Sequence, residues 1–215
     1  MDILDHSTVI TSPNNIENLQ CRRKIQLAVM ASGQGSNFQA LAKASKIGKL
    51  SAEIKVLITN TKDCGAIAKA KSMNIPYVYL DHRKYDRRED YEKLIIDTLN
   101  NYEVEAIAMA GWMRVVTSTL INGFPGRIVN IHPSLLPSFK GVNAIRQALD
   151  SGSKITGCTV HIVNKEVDSG KILIQSATSI NENETEETLK LKIQELEHQI
   201  FYKGIMLAAL AWQRN

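Results

Sequence analysis

The sequence predicts an α/β protein, a doubly wound and mostly parallel β-sheet flanked by helices and closed by one long C-terminal helix. Three observations carry that expectation. Short runs such as IQLAVMA (residues 25–31) and VEAIAMAG (residues 104–111) are apolar on both faces, as strands covered from two sides must be. Such runs alternate with helical segments through about residue 130, the order that builds a parallel sheet. Near the end, Leu189, Ile193, Leu196, Ile200, Leu207 and Leu210 recur at helical spacing.

Taken in order, residues 25–31 form the first strand and feed the turn SGQGSN, after which a helix runs from about Asn37 to Ile47. The strand IKVLI (54–58), a polar turn, a helix over 66–72 and the short strand YVYL (77–80) complete a β-α-β-α-β unit. A charged loop, DHRKYDRRED, precedes a helix to about Asn101, and the next strand is 104–111. RIVNI (127–131), the loop HPSLLPSFKG and a helix over 144–149 follow. TGCTVHIV and KILIQSATSI are two further strands compatible with an antiparallel pair. Asn183 with Glu186 three positions on matches a capping box for the last helix.

At roughly 150 residues per domain, 215 residues make one domain, expected over 24–215, with residues 1–23 as a loose polar tail. A 44% apolar and 22% charged composition excludes a disordered or disulfide-stapled chain. Cys21, Cys64 and Cys158 are odd in number and widely spaced, which supports neither a disulfide framework nor a zinc ribbon and points to a reducing cytoplasm. The longest apolar stretch, 204–212, is shorter than the roughly 18 residues a membrane span needs. The net charge of +4 tolerates an anionic ligand without demanding nucleic acid.

In doubly wound sheets ligands bind beyond the C-terminal strand ends, so the loops after the strands hold the candidate chemistry. Gly35, Ser36 and Asn37 offer backbone amides at a helix N-terminus, an anion site. Position 38 is Phe, and Thr59-Asn60 puts no carboxylate after the second strand, so a dinucleotide fingerprint fails. A single phosphate fits, as does a plain β-to-α turn. In Val129-Asn130-Ile131-His132, positions 130 and 132 share a strand face, where an amide donor and an imidazole can converge on one developing oxyanion. Asp168 is either a turn residue or, if it reaches His132, a carboxylate that favours the imidazolium. No nucleophile constellation or metal-ligand spacing is present, so direct transfer without a covalent enzyme intermediate or a metal is expected.

As an ordered set, Ser-Gly-x-Gly-Ser-Asn (32–37), Gly-Trp-Met-Arg (111–114), Asn-Ile-His-Pro-Ser-Leu-Leu-Pro (130–137), Gly-Cys-Thr-Val-His (157–161), Asp-Ser-Gly (168–170) and Glu-His (197–198) resemble the folate-dependent phosphoribosylglycinamide formyltransferases over about residues 24–210. That resemblance implies a Rossmann-like formyltransferase fold, a place in purine (IMP) biosynthesis and 10-formyltetrahydrofolate as co-substrate. It implies a catalytic triad of Asn130, His132 and Asp168. It further implies a ribonucleotide site of Gly35, Ser36, Asn37 and Glu197, the last contacting ribose hydroxyls. Folate contacts are implied at Arg88, Met113, Arg114, Val115, Val116 and Asn130, and in the turn Asn164, Lys165, Glu166, Val167 and Asp168. Without the resemblance, Met113 and Val115 read as core and Arg88 as a solvated helix start. Many relatives carry His where this chain has Asn143, which puts the proton path near Asp168 in question.

Partners implied are small molecules only, with no nucleic acid or membrane, acting as a monomer or homodimer. Two enzymes with a similar catalytic domain compete. Formyltetrahydrofolate deformylase transfers the group to water and is expected to carry a regulatory domain ahead of this one. Methionyl-tRNA formyltransferase is expected to add a C-terminal tRNA-binding domain. A non-catalytic sensor that keeps the phosphate loop is the remaining alternative.

Overall fold

A computed structural model describes residues 9–14 and 21–214. The strands are β1 (Ile10–Ser12), β2 (Ile25–Met30), β3 (Ala52–Thr59), β4 (Tyr77–Tyr79), β5 (Ala106–Met109), β6 (Ile128–His132), β7 (Ile155–Ile162) and β8 (Ile172–Ser179). The helices are α1 (Ser36–Lys46), α2 (Gly65–Ser72), α3 (Arg88–Asn101), α4 (Ser118–Gly123), α5 (Ala144–Asp150) and α6 (Glu186–Trp212). All strands form one sheet in the order β1-β8-β7-β6-β5-β2-β3-β4. The strands from β4 to β6 pair in parallel, whereas β7, β8 and β1 join antiparallel.

The chain winds from β2 outward to β4, then returns to lay β5 on the other side of β2. The switch point therefore lies between β2 and β5, and the loops after these strands meet there. Ser32 N–H donates to the Gly111 carbonyl at 3.0 Å.

Strand pleating divides the core in two. Leu27 and Val29 of β2 and Val129 and Ile131 of β6 pack with Phe38, Leu41, Leu196 and Ile200 in the cluster shared by α1 and α6. Ala28, Met30, Ile107, Met109 and Ile128 face the other way, onto Tyr91, Ile95 and Leu99 of α3 and Leu120 of α4. Asn130 and His132 follow Ile128 on this second face.

Two expectations need adjustment. The capping box of α6 is built by Thr185 and Thr188, not Asn183 and Glu186: the Thr185 hydroxyl accepts from Thr188 N–H at 3.2 Å, and the Thr188 hydroxyl accepts from Thr185 N–H at 3.0 Å. Glu184 is instead drawn into an ion pair with Lys192, 2.6 Å apart, which anchors the first turns. The buried face of α6 also rotates. Leu189, Ile193, Leu196 and Ile200 are buried, but Phe201, Ile205, Ala208 and Ala209 replace Leu207 and Leu210 in the core. A straight helix crossing a twisted sheet cannot keep one stripe inward over 27 residues.

Residues 1–8 and 15–20 of the expected N-terminal tail lie outside the described residues. Within that stretch Ile10–Ser12 is a strand, pairing Ile10 with Ala177 and Ser12 with Gln175, and the Thr11 and Ser176 hydroxyls lie 2.8 Å apart. The β-branched Ile10 and Thr11 satisfy backbone groups that the edge of β8 would otherwise leave open.

Candidate active site

The loop after β2 is shaped by one glycine. Gly35 has φ +71°, and a Cβ there would stand 2.7 Å from Cα and Cβ of Ala66 in α2. Gly33 has no such neighbour. This close approach lets α2 brace the loop, with Ala66 N–H donating to Gly33 O at 3.1 Å and Lys69 Nζ to Gln34 O at 2.8 Å. The first intrahelical bond of α1 runs from Gln39 N–H to Gly35 O, and no side chain caps the helix. The N–H groups of Ser36, Asn37 and Phe38 thus lie within the uncapped first turn.

α6 brings a carboxyl and an amide to this loop. Asn37 Nδ2 donates to Glu197 Oε2 at 2.8 Å, and Gln194 Nε2 donates to Ser36 Oγ at 2.8 Å. Burial pushes the Glu197 carboxyl up to about 7 against the opposing Asn37 hydrogen bond. Asn37 Oδ1 is buried without a protein donor. An acceptor and a carboxyl side by side suit paired hydroxyl donors.

The second cluster sits at the end of β6. His132 Nδ1 is 3.3 Å from Asp168 Oδ2, and its Nε2 is 2.9 Å from the Phe139 carbonyl. Both ring nitrogens therefore face oxygen atoms. Asp168, at φ +50°, also accepts from Gly141 N–H at 2.8 Å. Burial works to raise its carboxyl, but the His161 hydrogen bond, the Gly141 N–H and the charges of His132 and His161 outweigh it and hold it below its ordinary value. The three catalytic candidates are thus gathered, with Asn130 joined to Asp168 through a residue of β7 to which the sequence motifs assign no role.

That residue is His161. The antiparallel register places it opposite Asn130, with Asn130 Nδ2 3.2 Å from His161 Nε2, which lies 3.6 Å from Asp168 Oδ1. His161 Nδ1 is 3.0 Å from the Ile162 carbonyl. Thr159, on the same face, pins the Pro-rich loop: its hydroxyl donates to Ser134 O at 2.7 Å and accepts from Leu136 N–H at 3.0 Å and Gln175 Nε2 at 2.9 Å. The available sequence signal was the polar alternation Thr159, His161 inside an otherwise buried strand.

The third wall follows β5. Met113 is 78% and Val115 51% exposed, so neither is core, whereas Val116 is buried. Arg114 lies over the Tyr91 ring, 5.7 Å from its centroid, and shares a narrow cleft with Arg88, Trp112 and Val116. In the turn after β7, Asn164 Oδ1 accepts from Glu166 N–H and the Ser169 hydroxyl, which shapes the segment carrying exposed Lys165 and Val167. Lys140 Nζ reaches Glu166 at 3.4 Å. Asn143 is exposed at φ +58° as the N-cap of α5. Asn tolerates that backbone region well, which gives it a local reason to stand there. Among the described residues no group of His, Cys, Asp and Glu could hold a metal ion, the three cysteines are free, and no helix is long and apolar enough to cross a membrane.

A family model described as formyl transferase matches residues 25–205. The phosphoribosylglycinamide formyltransferase of Bacillus subtilis (strain 168) is 40% identical over 174 residues, 81% of this chain and 89% of that protein. The trifunctional purine biosynthetic protein adenosine-3 of Gallus gallus is 39% identical over 186 residues, 86% of this chain but 18% of that protein, so the chain spans under a fifth of it. Among solved structures, the glycinamide ribonucleotide transformylase 1 of Symbiobacterium toebii superposes with a TM-score of 0.86 at 36% identity, covering 87% of this chain and 89% of that one. With a family match running from β2 well into α6 and a relative 40% identical over most of its length, this chain belongs to the formyl transferase family.

Proposed function

We propose that the chain transfers the formyl group of 10-formyltetrahydrofolate to the amine of 5'-phosphoribosylglycinamide in de novo purine synthesis. The observation that carries this reading is the gathering of Asn130, His132, His161 and Asp168 at the end of β6, in a sheet whose neighbouring loops offer an uncapped helix N-terminus after Gly35 and the exposed side chains of Met113 and Val115. Gly35, Ser36 and Asn37 bind the phosphate, while Glu197 and Asn37 Oδ1 take the ribose hydroxyls. Met113, Arg114, Val115 and Val116 line the pterin side, Arg88 pairs with a folate carboxylate, and the turn 164–168 closes the opposite side.

In this reading the substrate amine attacks the formyl carbon and a tetrahedral oxyanion forms. Asn130 donates its amide to that oxygen, and His132 donates its Nε2–H once the oxyanion takes the place of the Phe139 carbonyl, each most useful when aimed at the charge that develops. Asp168 holds the imidazole through Nδ1. The C–N10 bond then breaks, and the proton lost by the amine passes to the folate nitrogen through His132 or water. No group on the protein need form a bond to the formyl carbon.

The test is turnover of 10-formyltetrahydrofolate by the purified chain, with and without the ribonucleotide. Formyl transfer that requires the ribonucleotide supports the assignment. Folate turnover indifferent to it replaces transfer by hydrolysis to water, and no turnover in either case replaces it by a sensor role.

A further inference from the structure

Residues 113–116, which the proposed function assigns to the formyl donor, have no regular secondary structure. A loop that must be frozen when its ligand arrives loses affinity to the entropy of ordering. What holds its two ends therefore matters to binding. At one end the Met113 N–H donates to Ser32 Oγ at 2.9 Å, which ties the segment to the start of the phosphate-type loop.

At the other end stands Glu92 of α3, 3% exposed. Its Oε1 accepts the Thr117 N–H at 2.7 Å, and its Oε2 accepts the Thr117 hydroxyl at 2.5 Å and the Leu120 N–H at 3.1 Å. The Thr117 hydroxyl in turn accepts from Thr119 N–H at 3.1 Å. Two side chains from different elements thus satisfy the donors that open α4. No ion pair among the described residues involves Glu92, and its three hydrogen bonds come from Thr117, directly after Val116, and from Leu120 in the first turn of α4.

A buried carboxylate is a costly way to fill space beside a six-residue helix that contributes one buried residue. An apolar side chain would bury the same surface. What the carboxylate adds is direction: it fixes where the chain leaves Val116, and it lines the same cleft as Val115 and Val116.

We propose that Glu92, acting through Thr117, is a positioning residue for the formyl donor: it holds the 113–116 wall in its binding conformation and so sets affinity for the folate and not for the ribonucleotide. This role rests on the donor-binding reading of 113–116. The test is steady-state kinetics on the full chain with both substrates varied, for Glu92→Gln, Thr117→Val and Thr117→Ser, beside thermal unfolding of each.

Thr117→Val raises the KM for 10-formyltetrahydrofolate about tenfold, the order expected for one lost charge-assisted hydrogen bond, and leaves the ribonucleotide KM within about twofold. Glu92→Gln moves the same constant in the same direction, and Thr117→Ser restores it by keeping the hydroxyl. If Glu92→Gln does not fold, the Thr117 pair decides. Folded variants that shift neither KM, or both equally, overturn the role while leaving the proposed function standing. A parent protein that turns over no formyl-folate removes the donor reading itself and this role with it.

Discussion

Asn37, in the first turn of α1, donates its amide to the carboxylate of Glu197 in α6, 160 positions later, at 2.8 Å. The bond joins the loop after β2 to the closing helix, and it leaves Asn37 Oδ1 buried without a protein donor while burial raises the Glu197 carboxyl to about 7. In the proposed function the ribose hydroxyls complete this pair.

Glu197→Gln tests the cost of that arrangement. Between its ordinary value of 4.5 and its folded value of about 7, Glu197 holds a proton in the folded state that the unfolded chain releases, so its contribution falls as pH rises through that window. Glu197→Gln lacks the penalty. Its stability relative to the parent rises from pH 4 to pH 8 by at most about 3 kcal/mol, read from urea unfolding at both pH values. A difference independent of pH would show that the carboxyl is not raised.

Asp168→Asn probes the opposite sign. The Asp168 carboxyl is held below its ordinary value, so it stabilises the fold above the unfolded pKa, and that contribution is lost as pH falls through the folded one. The Asn variant loses less stability on acidification than the parent does. Its turnover falls about 10²-fold, the scale of a disturbed proton-transfer partner. Parent-like turnover would reduce Asp168 to a turn residue.

Asn130→Ala removes the proposed oxyanion donor without touching the apolar core. Turnover drops by about 10² to 10³, with cooperative unfolding retained. Turnover close to the parent's takes Asn130 out of the mechanism.

Gly35→Ala and Gly33→Ala form a matched pair. At Gly35 the substitution meets both a left-handed backbone and an Ala66 Cα at 2.7 Å, whereas at Gly33 nothing lies within 4 Å. Gly35→Ala therefore costs at least about 1 kcal/mol in stability and weakens ribonucleotide binding, measured by calorimetry. Gly33→Ala leaves both nearly unchanged. Equal effects would mean that α2 does not brace the loop.

The sequence by itself determined what local periodicity and turn chemistry encode. Apolar runs marked β2, β3, β5 and β6, the spacing of Leu189 to Ile200 marked α6, and the i, i+2 relation of Asn130 and His132 put amide and imidazole on one face. Only the tertiary structure decided which distant groups complete the site. His161 is opposite Asn130 because of an antiparallel register, Thr159 and Gln175 clamp residues 134–136 across two strands, and Glu92 reaches Thr117 from another helix. The strand Ile10–Ser12 likewise depends on the free edge of β8, and the rotating face of α6 on the twist of the sheet beneath it. Periodicity is a property of neighbours in the chain. Register, close approach and loop conformation are settled by groups far apart in sequence.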